Sequence, residues 1–543
     1  MQKKLTLPEL LQQLAAEHTE KVKLAIVDVD GVLRGKIMAF DKFVSIAEKG
    51  FGFCDVVFGW DAEDRAYDNG TFTGWHTGYP DAVAVIDAGT FRRVPWEGDM
   101  PFFLADFRGG LGGVSPAEAV GVAGAGVSAG GYSMAGAGAS AGGHSMTGAG
   151  AAEPAGGTRA EGAVGADGAV GADGAAGGHS MAGAGATGDA FSAEWSGSSG
   201  DALRVCPRGL LKRVIAQAAA AGYSAVFSQE FEWFNFLAPA AGEPLSQATL
   251  KPMTQGMFGY SILRASQGSA YFHALFDELK RYGVPLEGLH TETGPGVYEA
   301  AIIYADVLEA ADRAVLFKAG VKEIAHRHGV VPTFMAKISA DLPGCSGHVH
   351  QSLWTADGSR NLFYDGAAPT GMSAVMESYI AGQLYCLPHI LPMVAPTVNS
   401  YKRLVEGAWA PTTLTWGIDN RTVALRALPG SDRSIRLETR VVGSDSNPYL
   451  AMAACLAAGL YGVRQGLMLT TPATRGNGYA DKRHGVLPRN LWEATENMRH
   501  SALAKELFGE GFVDHFVRTR EWEWRQFGQA VTDWEWKRYF EII

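Results

Sequence analysis

Cysteine is scarce in this 543-residue chain and follows no pattern. Five occur (Cys54, Cys206, Cys345, Cys386 and Cys455), an odd number with no CxxC pair. That excludes a disulfide framework and a zinc knuckle, and makes a reducing, cytoplasmic setting the expectation. Charge is also thin, at 19% of residues, and the balance is acidic, with a net charge of -11. Lacking a basic excess, the chain is expected to have neither nucleic acid nor an anionic membrane as its partner. No apolar run reaches bilayer length. The longest, Tyr449 to Val463, reads as a buried helix. The opening MQKKLTLPELLQQLAAEHTE mixes both charge signs and has no apolar stretch of the kind a signal peptide needs. What is abundant is hydrophobic side chain, 47% of the total, enough for a large core divided over two or more domains.

One segment departs from this composition. From Gly109 to Gly200 the chain is mostly Gly, Ala and Ser, with the repeats GGYSMAGAGA, GGHSMTGAGA and GGHSMAGAGA. Such a stretch buries too little apolar surface to offset its ordering entropy, so it reads as a disordered insertion. Its His144 and His179 are repeat passengers. The chain therefore divides into 1–108, 109–200 and 201–543. In the first part, Lys23 to Val32, Ala82 to Asp87 and Phe102 to Phe107 read as strands of a small α+β domain. After the insertion, Pro207 opens a helix that Gly222 ends in left-handed conformation. Tyr223 to Phe236 reads as a strand. A long helix follows Asp306 and stops at Gly329, and Thr532-Asp533 caps a last helix.

Three pairs carry the chemistry: Glu230 and Glu232 in SQEFEWFNF, His348 and His350 in CSGHVHQSLW, and Glu438 and Arg440 in IRLETRVV. Each is spaced i, i+2 in a strand-like run, so both members face one side. Taken singly, each pair fits a solvated strand face equally well. Three together, among apolar neighbours, point to a site, because buried charge needs a partner or a metal. In Glu292-Thr-Gly-Pro-Gly-Val-Tyr-Glu299, the Gly-Pro-Gly turn lets the two flanking acids converge. Glutamate-rich ligands with one imidazole suit Mg²⁺ or Mn²⁺ better than zinc, and two such ions can clamp the phosphates of ATP. Arg403, Arg421, Arg426, Arg433, Arg436 and Arg440 alternate with Val423, Leu425, Ile435 and Leu437, which favours inward placement and binding of carboxylate or phosphate.

In order, Arg34-Gly-Lys36, E-x-E, E-x6-E, GHVH, NSYKR, DNR-x4-R, E-x-R and Asn447-Pro-Tyr-Leu450 resemble the glutamine synthetase superfamily over nearly the whole chain outside the insertion. The resemblance implies an α+β protein. It implies a small N-terminal β-grasp domain before a large catalytic α/β domain, in ring homo-oligomers with active sites between subunits. It implies a ligase that uses ATP and two or more Mg²⁺ (or Mn²⁺) to join glutamate to an amine or ammonia through a γ-glutamyl phosphate. Glu232, Glu292 and Glu299 resemble the ligands of a first metal near glutamate. Glu230, His348 and Glu438 resemble those of a second at the ATP phosphates. Arg403, Arg440 and Gly344 match glutamate contacts, Arg421 and Arg426 match groups that stabilise the transferring phosphoryl group, and His350, Ser352 and Arg436 match nucleotide contacts.

The chain departs from ammonia-using members at two places. Their Gly-Tyr-Glu-Ala-Pro loop, whose carboxylate takes the ammonium proton, is here Gly407-Ala408-Trp409-Ala410-Pro411. An indole accepts no proton but can stack on an organic cation. This resembles the branch that makes γ-glutamyl amides of polyamines or other amines, with Trp409 as a substrate contact. Pro343-Gly344-Cys345-Ser346 also replaces Asn-Gly-Ser-Gly. Asp61 or Asp64 is a candidate for the acidic residue that binds ammonium across a subunit boundary. Three rival readings stand beside an amine ligase. One is a true glutamine synthetase, and one is a non-catalytic structural member of the superfamily. The third is a phosphatase in which Asp28 of AIVDVDGVL is a phosphoryl acceptor.

Overall fold

The computed structural model describes residues 5–107 and 204–543, except 241, 245, 247 and 248. The Gly/Ala-rich segment from Gly109 to Gly200 lies outside the described residues. Strands are β1 (Lys21–Val27), β2 (Leu33–Ala39), β3 (Phe51–Cys54), β4 (Asp81–Ile86), β5 (Arg92–Val94) and β6 (Met100–Phe107) in the N-terminal part. They form one sheet ordered β2-β1-β6-β4-β3, with β5 on β6. Strand β1 is apolar on both faces. Val22, Leu24 and Ile26 meet Leu10, Leu14 and Phe43 of the helices Leu7–Ala16 and Phe40–Ile46. Ala25 and Val27 turn the other way, into the core of the larger part. Period-two alternation thus serves two cores at once.

The expected strand from Lys23 to Val32 stops at Val27. Asp28 Oδ1 accepts the backbone N–H groups of Asp30 (3.0 Å) and Val32 (2.8 Å), and its Oδ2 accepts Arg34 Nε at 2.9 Å. That carboxylate shapes the β1–β2 turn and is only 3% exposed, so the phosphatase-like run is a structural hairpin.

A second sheet contains β7 (Tyr223–Leu237), β9 (Leu286–Thr291), β10 (Val297–Ile302), β13 (Val349–Thr355), β14 (Trp416–Ile418), β15 (Leu425–Leu428) and β16 (Arg436–Thr439). Their order is β14-β15-β16-β13-β7-β10-β9, with the short strands β8 (Lys251–Pro252), β11 (Ala305–Asp306) and β12 (Val330–Thr333) also pairing with β7. One face carries Phe231, Trp233, Val349, Leu353 and Leu437 into a core with the helices Val307–Arg327, Ala374–Ile390 and Pro448–Arg464. A network of polar groups on that face is satisfied internally. Tyr379 and Gln383 donate to Gln351 Oε1 at 2.9 and 2.7 Å, Gln351 donates to Thr439 at 2.7 Å, and Thr439 donates to Gln383 at 2.7 Å.

The helix Pro207–Ala220 ends as expected at Gly222, φ +83°. Its Arg208 joins the two parts. The guanidinium, 3% exposed, reaches Asp312 of Val307–Arg327 at 2.8 Å, and Asp106 and Asp87 of the N-terminal part at 2.7 and 2.9 Å. No described helix is long and apolar enough to cross a membrane.

Candidate active site

Antiparallel register places the candidate residues in adjacent rows on the open face of the second sheet. Glu299 lies opposite Glu232, His350 opposite Ser228, Glu438 opposite His350, and Arg426 opposite Glu438. Ahead of β13 the chain continues along β7: Glu230 N–H donates to the His348 carbonyl at 3.1 Å and Glu232 N–H to that of Ser346 at 2.9 Å. Opposite residues share a face and alternate residues repeat it, so the two periodicities assemble one surface while Phe231 and Leu437 fill the core. The β9–β10 turn adds Glu292, with Gly294 and Gly296 at positive φ flanking Pro295.

Two groups of ligand atoms result. Glu230, His350 and Glu438 each offer an atom within 4.8 Å of the others, as do His290, Glu292 and Glu299. His348 borders the first group, with its Nδ1 2.8 Å from Glu230 Oε1 and 3.3 Å from Glu438 Oε1, while its buried Nε2 has no partner. His350 Nε2 lies 3.4 Å from Glu230 Oε2, so both imidazoles of GHVH meet the acids. His290 was not singled out from the sequence. It sits 3.9 Å from Glu299 and 3.8 Å from Glu292, with the Tyr260 ring stacked on it at 4.5 Å. Its signal was present, since His290 and Glu292 repeat the i, i+2 spacing. Glu232 faces Glu299, and its Oε2 accepts the Ser346 N–H at 2.7 Å. Glu292 Oε2 is buried without a partner.

The charges on this face do not balance locally. Burial, then repulsion from Glu230, Glu232, Glu292 and Glu438, pushes Glu299 up to about 10. Burial pushes Glu232 to about 7. Burial acts the same way on Glu230 and Glu438, yet His350 and His348 beside Glu230 and Arg440 beside Glu438 bring both below the usual carboxylate range. Burial and the Arg440 charge hold His348 down near 4. Orphaned buried acceptors and five crowded glutamates fit divalent cations with oxygen and imidazole ligands.

The arginines divide. Arg426 donates to Glu438 at 2.9 Å and to Asp419 at 3.1 Å, and Arg440 pairs with Glu438. Arg403 is 1% exposed and donates to the carbonyls of Val441 (2.9 Å) and Arg440 (3.0 Å) and to Ser346 Oγ (2.9 Å). Gly344 packs on it: a Cβ there would lie 2.7 Å from Arg403 Cγ and 2.8 Å from the Ala336 carbonyl oxygen. Arg421, Arg433 and Arg436 are exposed, contrary to the inward placement read from alternation. Arg421 and Arg433 lie in turns between strands, where alternation sets no direction. Arg436 opens β16 and lies 3.2 Å from His350 Nδ1. Ser352 is buried on β13, accepting from Trp354 Nε1 at 2.8 Å. Trp409 is 62% exposed at φ +58°, in the loop after Ser400–Arg403. Asp61 accepts from Trp522 of the helix Glu510–Gln529 at 2.9 Å and Asp64 from Arg34 at 2.7 Å, so within the subunit Asp61 ties the N-terminal part to that helix and Asp64 pairs inside the N-terminal part.

Residues 204–539 match the family model of the glutamine synthetase catalytic domain. Type-1 glutamine synthetase 2 of Dictyostelium discoideum is 44% identical over 98% of this chain and 86% of its own length. The glutamate–isopropylamine ligase of a Pseudomonas species is 30% identical over 97% and 96%, and the gamma-glutamylethanolamide synthetase of Streptomyces coelicolor 32% over 98% and 95%. The solved GmaS/ADP complex shares the fold, with a TM-score of 0.70 at 24% identity over 98% of this chain and 99% of that one. The chain belongs to the glutamine synthetase family. By class it is an ATP-dependent acid–amine ligase.

Proposed function

We propose that this protein uses ATP to activate the side-chain carboxylate of glutamate and transfers the acyl group to an organic amine. The observation that supports it is the gathering of Glu232, Glu299, Glu230, His350, Glu438 and Arg426 on one sheet face. Glu232, Glu292 and Glu299, with His290 beside them, would hold one divalent ion, and Glu230, Glu438 and His348, with His350, a second. Such ions supply charge neutralisation for the phosphates. A glutamate side-chain oxygen attacks the γ-phosphorus and ADP leaves. The amine nitrogen then attacks the acyl carbon, and phosphate departs with the C–O electron pair. Arg421 and Arg426 stabilise the phosphoryl oxygens. Arg440 binds the glutamate, Arg403 and Gly344 support that contact from beneath, and His350, Ser352 and Arg436 border the nucleotide.

Trp409 favours an organic amine, since its indole offers a flat face and no base. Formation of glutamine from ammonia is the competing reading, supported by the glutamine synthetase relative at 44% identity. Phosphate release with glutamate, ATP and Mg²⁺ against an amine panel separates the two. A higher kcat/KM for an amine than for ammonia, shifted towards ammonia by Trp409→Glu, is expected, and ammonia as the best acceptor overturns it. In this reading the N-terminal sheet is a β-grasp domain and the protein acts as a ring of identical subunits with sites between them. Segment 109–200 holds no site residue, so a chain joining Gly109 to Gly200 should retain activity.

A further inference from the structure

Beside Trp409 lies a cleft of about 650 Å³, lined by Ile418, Asp419, Arg421, Thr474 and Arg475 among others. Its walls are two loops tied together. Asn420 Nδ2 donates to the carbonyls of Thr474 (3.1 Å) and Gly476 (2.9 Å), and Thr474 N–H donates to that of Trp416 (2.8 Å). The charges lining it do not cancel. Asp419 Oδ1 is taken by Arg426. Arg421 and Arg475 are exposed and make no side-chain hydrogen bond or ion pair among the described residues. Arg475 also borders the adjoining hollow, where Arg483 is paired with Asp481 at 2.8 Å.

A chain of amines entering here meets the unpaired guanidinium of Arg475, in addition to Arg421, which the phosphoryl group engages. A second ammonium would be repelled, whereas a carboxylate, sulfonate or phosphate gains a planar, bidentate donor. We propose that the acceptor is a monoamine with an anionic tail, the tail on Arg475 and the methylene spacer against Trp409. This rests on the ligase reading above and narrows it, setting polyamines aside. The C–N bond forms as the acyl C–O bond breaks, phosphate leaves with the electron pair, and the protons of the ammonium group pass to solvent.

The test uses the full-length enzyme and three acceptors of similar length: β-alanine, propylamine and 1,3-diaminopropane, with ammonia as a reference. In the wild type, kcat/KM should fall in that order, by about two- to fivefold per unit of charge, the scale of one partly exposed ion pair. Arg475→Gln should flatten the order and Arg475→Glu should invert it, with the KM values of glutamate and ATP unchanged. A wild type that uses the diamine as well as β-alanine, or an order that ignores Arg475→Glu, overturns the proposal. Absence of phosphate release with every amine, ammonia included, overturns the ligase reading itself.

Discussion

Removing divalent cations should turn the crowding of acids into a pH-dependent loss of stability. Glu232 stands near 7 and Glu299 near 10 in the folded chain, against an ordinary value of 4.5. Between the ordinary and folded values, the fold keeps a proton that the unfolded chain has released. Stability therefore declines as pH rises, by about 1.4 kcal/mol per pH unit for each such group. The contribution is full below about 4.5. Both groups erode it up to about 7, and Glu299 alone erodes it from there to about 10. Bound cations favour the ionised carboxylates and remove both slopes, releasing about one to two protons per chain at pH 7. Unfolding followed by circular dichroism at pH 5.5, 7 and 8.5, in EDTA and in excess Mg²⁺ or Mn²⁺, measures this. The rise in Tm on adding metal should grow with pH, and titration calorimetry in two buffers should show the protons leaving. A metal increment that is flat across this range, or binding without proton release, refutes the reasoning.

Arg208→Ala leaves Asp87, Asp106 and Asp312 facing one another at a buried junction, and should cost on the order of 3–5 kcal/mol in urea unfolding. Gly344→Ala drives a Cβ against Arg403 and the Ala336 carbonyl, and should cost about 1–3 kcal/mol and raise the KM of glutamate in steady-state assays. Glu438→Gln keeps the shape but removes a charge shared by Arg426 and Arg440; kcat should fall about 100- to 1000-fold, with the circular dichroism spectrum unchanged.

Most of the candidate site was legible as a shared face because its residues lie on strands, where an i, i+2 pair reports a common side whatever the tertiary fold. Glu230 with Glu232, His348 with His350, and Glu438 with Arg440 are such pairs, and the turn containing Pro295 was readable from its glycines. The helix limits at Gly222 and Gly329 and the Thr532 cap likewise depend on local backbone chemistry. What was lost needs distance information. Nothing local separates Arg403, spent on carbonyls beneath the site, from Arg436 at its mouth. His290 shares the i, i+2 signal with Glu292, but it reaches Glu299 only through β9–β10 pairing. The end of β1 was misplaced because Asp28 folds back on its own turn, which an apolar run into Val32 conceals.

Isotope transfer tests the central claim most directly. Glutamate labelled with ¹⁸O in its side-chain carboxylate is incubated with the enzyme, ATP, Mg²⁺ and the preferred amine, and the released phosphate is analysed by mass spectrometry. Activation of that carboxylate by phosphoryl transfer predicts one ¹⁸O in each phosphate, because a carboxylate oxygen bridges carbon to phosphorus before the C–O bond breaks. Phosphate released without label, or released at the same rate without glutamate, would contradict it.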